Sequence, residues 1–400
     1  VTHPRDVRRG SCFCKGAFSY VHLDNVVRLG MIRQLNSRKL ALFVPDLRGG
    51  GAERVMLVLA GAFAGRGFDV DLVLARAVGE YLSHVPENVR LVDLQAPRLR
   101  TTPARLARYL RQVRPAALLS AYDQLNLLAI VARQLSRIKP RLVCTVHVDL
   151  STHLKLEPRT FRKRTYASLL RAMLYRADHV VCVSQGVADS LVTRVGVSPD
   201  HVSVIYNPVS IERIRILAEE PVDHPWFQEG APPVILGVGR LDPQKDYPTL
   251  MRAFALLRKK QPTRLVILGE GRERAHLERL ARELSIKQDV WLPGFVENPY
   301  KYMKRCSVLA LSSRWEGFSL VLVEGLALGV SVVSTDCPSG PREVLEGGKW
   351  GRLVPVGDCE ALARALEEAL RAPIVAPPET LERFNVERVA SQYLKVLGLE

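Results

Sequence analysis

Four hundred residues, 47% hydrophobic and 24% charged, suit an ordinary globular chain of two domains and exclude fibrous or disordered classes. The formal charge of +16, from 57 basic and 41 acidic residues, favours a polyanionic partner: a nucleotide diphosphate, an anionic membrane surface or nucleic acid. A surface simply rich in arginine stays open as well.

The chain is read as an extension of uncertain structure over 1–38, a first Rossmann-like domain over 39–208, a second over 209–384, and a returning helix over 385–400. The first thirty residues lack the apolar core of a secretion signal, and Met31 is an alternative start. Leu40 to Val44 is a strand, followed by Gly49-Gly50-Gly51 and a helix from about Ala52 to Gly65. Strands recur at Val70–Leu74, Val89–Leu91, Ala117–Ser120, Leu142–Val146, His179–Val183 and Val202–Tyr206, with Thr102-Pro103 opening a helix. Asn207-Pro208 then marks a hinge. The pattern restarts with strands at Val234–Val238, Arg264–Leu268, Val290–Leu292, Val308–Leu311, Ser331–Ser334 and Gly351–Val354. Helices are expected at Tyr247–Lys259, Glu273–Leu284, Ser319–Leu328 and Cys359–Leu370, and from Asn385 a helix packs back on the first domain. Near-continuous apolar strands alternating with helices mean α/β architecture: two doubly wound, mostly parallel sheets facing each other across a ligand cleft.

No run approaches the roughly 18 apolar residues that span a bilayer. The seven cysteines are odd in number and scattered, so they form no disulfide scaffold. Cys144, Cys182 and Cys306 read as core thiols of a reducing compartment. Cys12-Phe13-Cys14 has no nearby partners for zinc.

Chemistry concentrates at carboxyl ends of strands. Gly49-Gly50-Gly51 lets the backbone approach an anion beside a helix start, although its spacing is neither a dinucleotide fingerprint nor a triphosphate loop, and a plain tight turn stays open. Gly239-Arg240-Leu241-Asp242-Pro243-Gln244-Lys245 follows the first strand of the second domain, where Arg240 can fork onto a diphosphate and Lys245 adds a point charge. Glu316 lies in a glycine-containing turn and Glu324 about two turns up a helix starting near Ser319. Glu324 sits among apolar neighbours, and a carboxylate so placed needs a partner. Sugar hydroxyls are natural donors to it.

With these motifs the chain resembles the retaining, nucleotide-sugar-dependent glycosyltransferases of family four, which have the glycosyltransferase-B fold, from about Leu40 to the C-terminus. The Glu-x7-Glu signature matches Glu316 and Glu324. The resemblance implies that Glu324 binds the ribose and Glu316 the donor sugar, that Gly317 and Phe318 offer amides to the sugar beside Ser319 and Leu320, and that Arg240 and Lys245 neutralise the diphosphate, with Gly239 also in the donor site. Gly50 and Gly51 would approach the phosphates or the acceptor from the opposite lobe. His147 matches a family histidine near the acceptor and the sugar's primary hydroxyl. Gly294-Phe295-Val296 would border the base, with Val296 in the donor site. The loop Cys337 to Glu343 is similar to that of members using UDP-linked hexoses or N-acetylhexosamines. The resemblance implies no metal and no cofactor, with a nucleotide diphosphate sugar, UDP-linked, as co-substrate.

The reaction so implied breaks the anomeric carbon–oxygen bond while an acceptor hydroxyl attacks on the same face, with His147, Arg240, Lys245 and Glu316 as catalytic residues. Lipid-linked or cell-surface glycans are the expected acceptors. A basic run, Lys155, Arg159, Arg162, Lys163, Arg164, Arg171 and Arg176, is interleaved with Phe161, Tyr166, Leu169, Leu170, Met173 and Leu174. The last five have helical spacing, which fits either a membrane-surface helix or a core-facing helix with a solvated basic back. The expected place is cytoplasmic, attached peripherally to the inner face of the plasma membrane. Rival readings are an enzyme with a soluble sugar acceptor and a non-catalytic nucleotide-binding or basic interaction protein; no nucleic-acid module is visible.

Overall fold

The computed structural model describes residues 38–148 and 160–400. Its first sheet comprises β1 (Lys39–Val44), β2 (Asp69–Leu74), β3 (Val89–Asp93), β4 (Ala117–Ala121), β5 (Arg141–Val146), β6 (His179–Cys182) and β7 (Val202–Val204). All pairings are parallel, in the order β3-β2-β1-β4-β5-β6-β7. The second comprises β8 (Val234–Val238), β9 (Arg264–Leu268), β10 (Val290–Gly294), β11 (Val308–Leu311), β12 (Ser331–Thr335) and β13 (Arg352–Val354), also parallel, in the order β10-β9-β8-β11-β12-β13. Two mostly parallel α/β lobes of Rossmann type result. In each, the strand order reverses beside the first strand, and the crevice at the carboxyl ends opens there.

The sequence explains the layers. β1 is buried along its whole length, as expected for a central strand covered on both faces. Its one charged residue, Lys39, is compensated by Asp69 at 2.7 Å and Asp71 at 3.0 Å. Asp71 is fully buried and also accepts from Arg90 Nε at 2.8 Å and Tyr109 Oη at 2.6 Å. The helix Gly51–Gly65 turns Val55, Met56, Leu59, Ala60 and Phe63 onto the first sheet. On the same core lie Val389, Ala390, Tyr393 and Leu394 of the helix Val386–Val396, so the end of the chain packs on the first lobe. A second apolar cluster is continuous through both lobes, by way of Val209, Ile214, Leu381 and Phe384.

Some expected boundaries move. The strand at Val202 stops at Val204, and the helix expected at Glu273 starts at Arg274. In the helix Thr160–Leu174, Leu170 and Leu174 enter the core while Leu169 remains 55% exposed. The spacing puts these positions on one side of the helix, and the core covers that side only in part. Lys155 and Arg159 lie outside the described residues, as do the side chains of Phe161, Arg162, Lys163, Arg164 and Tyr166. Cys12 and Cys14 also lie outside. Cys144, Cys182 and Cys306 are buried free thiols, as is Cys337. Among the described residues no helix is long and apolar enough to cross a membrane.

The charge excess is unevenly shared. Residues 38–208 carry 25 basic and 13 acidic side chains, whereas residues 209–400 carry 26 of each. The first lobe is strongly cationic and the second neutral.

Candidate active site

On the second lobe, the loop after β8 brings Lys245 against Glu316. Lys245 Nζ lies 2.6 Å from Glu316 Oε1, which also accepts from Ser313 Oγ at 2.6 Å. The sequence suggests separate partners for these two; the structure makes them one ion pair with little solvent access. Gly239 explains the close passage of the loop. Its φ is +150°, and a Cβ there would lie 2.9 Å from Lys245 Cε and 3.2 Å from Tyr247 Oη. Arg240 is 74% exposed, paired loosely with Asp242 at 3.8 Å. Its charge is nevertheless felt in the opposite lobe. Burial raises the pKa of the Tyr122 phenol there, Glu53 adds to the rise, and the Arg240 charge opposes it.

The turn after Glu316 is the meeting point of the lobes. The helix begins at Leu320, with Ser319 before it in the left-handed region at φ +73°. Among the described residues the amides of Gly317, Phe318 and Ser319 have no acceptor, and the buried Ser319 Oγ has no partner. Gly317 donates to none of the described residues, but its carbonyl accepts from Ser184 Oγ of the first lobe at 2.6 Å. A Cβ on Gly317 would lie 2.7 Å from the carbonyl carbon of His147, and closer still to its oxygen. Phe318 is buried and packs between Tyr206 and Phe384. Leu320 reaches across to Gly51, where an added Cβ would be 3.3 Å from Leu320 Cδ1.

Glu324 is 2% exposed, and its partner comes from the other lobe. Arg54 Nη2 donates to Glu324 Oε1, while Nη1 donates to Tyr300 Oη at 2.9 Å. Burial disfavours the guanidinium charge. Glu324, with Tyr300 and Tyr81, more than offsets that penalty and holds the Arg54 pKa above its ordinary value.

His147 follows β5 and faces Gly317. Its Nε2 lies 2.9 Å from Thr145 Oγ1, whose single proton goes to Ser120 O at 3.0 Å. Nε2 must therefore carry the proton, leaving Nδ1 as an acceptor. Burial lowers the ring's pKa to about 4, so it is neutral near pH 7. Tyr122, at φ +76°, sets its ring 6.0 Å from that imidazole and donates to Glu53. The glycine turn contains Gly49 at φ +93° and an extended Gly50. It is bordered by carboxylates: a Cβ on Gly49 would be 3.9 Å from Glu80 Oε2, and Glu53 lies over Gly50. Val296 is half-buried in the loop after β10, beside Phe295, which is 54% exposed. Among the described residues, Lys245 and Glu316 are the predicted donor residues that a polar contact joins, and Val296 has none with any of them.

A second polar seam holds the lobes together. The amides of Gln185 and Gly186 donate to Glu343 Oε2 and Oε1 at 2.7 and 2.9 Å. Sequence reasoning missed Arg54, Tyr300, Ser184 and Glu53, and gave Glu343 no contact. The available signal was the charged pair Glu53-Arg54 opening an otherwise apolar helix directly after the glycine turn. Among the described residues, no cluster of His, Cys, Asp and Glu is arranged to hold a metal.

The first lobe matches the model of glycosyltransferase family 4 over residues 49–213, and the second that of glycosyl transferases group 1 over residues 223–386. An N-acetylgalactosaminyltransferase of Campylobacter jejuni, which acts on a diphospho-undecaprenol-linked acceptor, is 33% identical over 349 residues, covering 83% of this chain and 90% of the relative. A second C. jejuni enzyme, an α-1,4-N-acetyl-D-galactosaminyltransferase, is 25% identical, covering 90% of this chain and 98% of its own. Among solved structures, Anabaena HepE in complex with UDP and glucose aligns with a TM-score of 0.73 at 19% identity, over 90% of this chain and 99% of that one. That likeness bears on the fold. Taken with the two facing lobes and the Glu316–Glu324 turn between them, these matches make the chain a member of glycosyltransferase family 4, an enzyme with the glycosyltransferase-B fold.

Proposed function

We propose that this enzyme transfers a hexose or N-acetylhexosamine, with retention, from a UDP-sugar to a hydroxyl of a lipid-linked or cell-surface glycan. One observation carries the reading. Where the two lobes meet, three successive amides and the Ser319 hydroxyl lack acceptors or partners among the described residues, beside the Lys245–Glu316 pair and facing His147. Such a turn suits a sugar whose departing diphosphate gathers negative charge.

Lys245 and Arg240 neutralise that charge, and the amides of residues 317–319 stay fixed while it develops, which is stabilisation by preorganised donors. Glu316, held by Lys245 and Ser313, accepts from donor-sugar hydroxyls. His147 offers Nδ1 to a further hydroxyl and supplies no charge. The acceptor oxygen bonds to the anomeric carbon on the face that the phosphate leaves, and its proton passes to the departing phosphate oxygen. The glycine turn that holds Gly50 and Gly51 is bordered by the Glu80 and Glu53 carboxylates at Gly49 and Gly50, which repel a diphosphate and welcome hydroxyl donors. Of the two partners open to that turn, the acceptor is favoured.

The acceptor class follows the C. jejuni relatives, whose acceptors are diphospho-undecaprenol-linked. The cationic first lobe supports a cytoplasm-facing, anionic membrane surface as the place of work, since about 1 kcal/mol accrues per basic residue near such a surface. The test is donor hydrolysis and transfer with a panel of nucleotide sugars, with and without a polyprenyl-diphosphate glycan. Turnover only with UDP-sugars and the lipid-linked acceptor is expected. Turnover with a free sugar instead would overturn the acceptor assignment, and an absence of any sugar transfer would overturn the whole. Sedimentation with phosphatidylserine vesicles should fall when Arg162, Lys163 and Arg164 are neutralised; unchanged sedimentation would remove the membrane from the proposal.

A further inference from the structure

We propose that Arg54, a residue of the first lobe, completes the nucleotide's ribose subsite on the second lobe by fixing the Glu324 carboxylate. The inference rests on the proposed nucleotide-sugar reading and deepens it.

Glu324 cannot stand alone. It projects from a helix whose neighbouring residues Leu322, Val323, Gly325 and Leu326 are all buried, and it is itself 2% exposed. A carboxylate in such surroundings needs both a counter-charge and hydrogen bonds. The second lobe supplies neither among its described residues; both come from Arg54, 270 positions earlier in the chain. Only Oε1 is used. Oε2 accepts nothing among the described residues, so one oxygen is anchored and the other is left for ligand hydroxyls.

The planar guanidinium divides its donors between two walls. One nitrogen holds Glu324. The other holds Tyr300 Oη at 2.9 Å, at the start of the helix Tyr300–Arg305, directly after the loop containing Val296. Tyr300 is tied to that loop by its amide, which donates to Asn298 Oδ1 at 3.1 Å. Arg54 therefore sets the distance between the ribose-facing carboxylate and the loop beside the base. A lysine at position 54 reaches one of these walls and not both. Because Arg54 arrives only when the lobes are together, nucleotide affinity and lobe closure are linked: the ribose meets an oriented carboxylate in the closed form and a loosely held one in the open form.

Arg54 acts through Glu324 and is a positioning residue, so its test reads the ribose directly. Calorimetric titration of the full chain would use whichever of UDP, GDP and ADP the wild type binds, alongside the 2′,3′-dideoxy form of that nucleotide. Two hydroxyls on an ionised carboxylate should favour the ribose form by at least about 10-fold in the wild type. Arg54→Ala and Glu324→Gln should each bring that ratio close to one, and the double variant should be no worse than Glu324→Gln alone. Arg54→Lys should recover part of the ratio. In turnover assays the donor KM should rise in Arg54→Ala, with the acceptor KM unchanged. An Arg54→Ala or Arg54→Lys protein that keeps the wild-type ratio overturns the inference while leaving the nucleotide-sugar reading intact. So does a double variant whose losses simply add. A wild type that binds none of the nucleotides overturns that reading, and this inference with it.

Discussion

Replacing Gly317 by alanine tests whether the lobes must meet at the Glu316 turn. The backbone there is not the obstacle, because Gly317 does not use a positive φ. Space is. The new Cβ would lie 2.7 Å from the His147 carbonyl carbon, whereas carbons pack at about 3.5–4.0 Å, so the lobes must separate locally by about 1 Å. The Ser184 Oγ to Gly317 O bond, now 2.6 Å, would then stretch to about 3.6 Å, where it no longer counts as a hydrogen bond. That loss costs about 1 kcal/mol of closed-state stability. A misplacement of about 1 Å between reacting groups costs about 100-fold in rate, or about 2.7 kcal/mol in the barrier. Steady-state kinetics at saturating donor should accordingly show kcat reduced about 100-fold. Scattering in solution should show a slightly wider molecule, with circular dichroism unchanged. A Gly317→Ala enzyme with wild-type kcat and wild-type dimensions would refute the reasoning.

Lys245→Ala should lower kcat by about 100- to 1,000-fold at saturating UDP-sugar, as expected when a fixed donor to a developing negative charge is removed; wild-type turnover would contradict its role. Asp71→Ala leaves Lys39, Arg90 and the buried Tyr109 without their shared acceptor, and urea unfolding should show a loss of about 3–5 kcal/mol. Unfolded, His147 takes a proton as pH falls through its ordinary 6.5; folded, it resists until about 4. Its contribution to stability is therefore steady above about pH 7 and is eroded between 6.5 and 4. Unfolding midpoints across that window should slope less steeply in His147→Ala than in the wild type, and parallel slopes would count against the buried neutral ring.

The sheets were legible because their strands are nearly continuous apolar runs alternating with helices, the pattern of a parallel sheet covered on both faces. β1, β8 and β11 lie within a residue of their expected spans. The Glu316 turn was legible for a similar reason: glycine and a following apolar helix announce themselves locally. What the sequence hides is the company each side chain keeps. Glu324 signals that it needs a partner, but nothing nearby names Arg54, which is 270 residues away. Likewise Glu343 reads as the end of a loop, while its acceptor role depends on distant amides, 158 and 157 positions earlier. Lys245 and Glu316 each look suited to a ligand, and only the folded loops reveal that they bind one another. Helical spacing in the basic segment suggested one apolar face, yet packing of Leu170 and Leu174 leaves Leu169 outside.

The uneven charge of the two lobes has a mechanical consequence. With 25 basic against 13 acidic residues at one end and equal numbers at the other, the molecule is an electric dipole as well as a cation. Near any negatively charged sheet it would experience a torque before contact, turning its cationic half downward and its electroneutral half toward bulk water. Raising ionic strength should randomise this orientation at distances beyond about 8 Å, the screening length near physiological salt, while the contact-range chemistry persists.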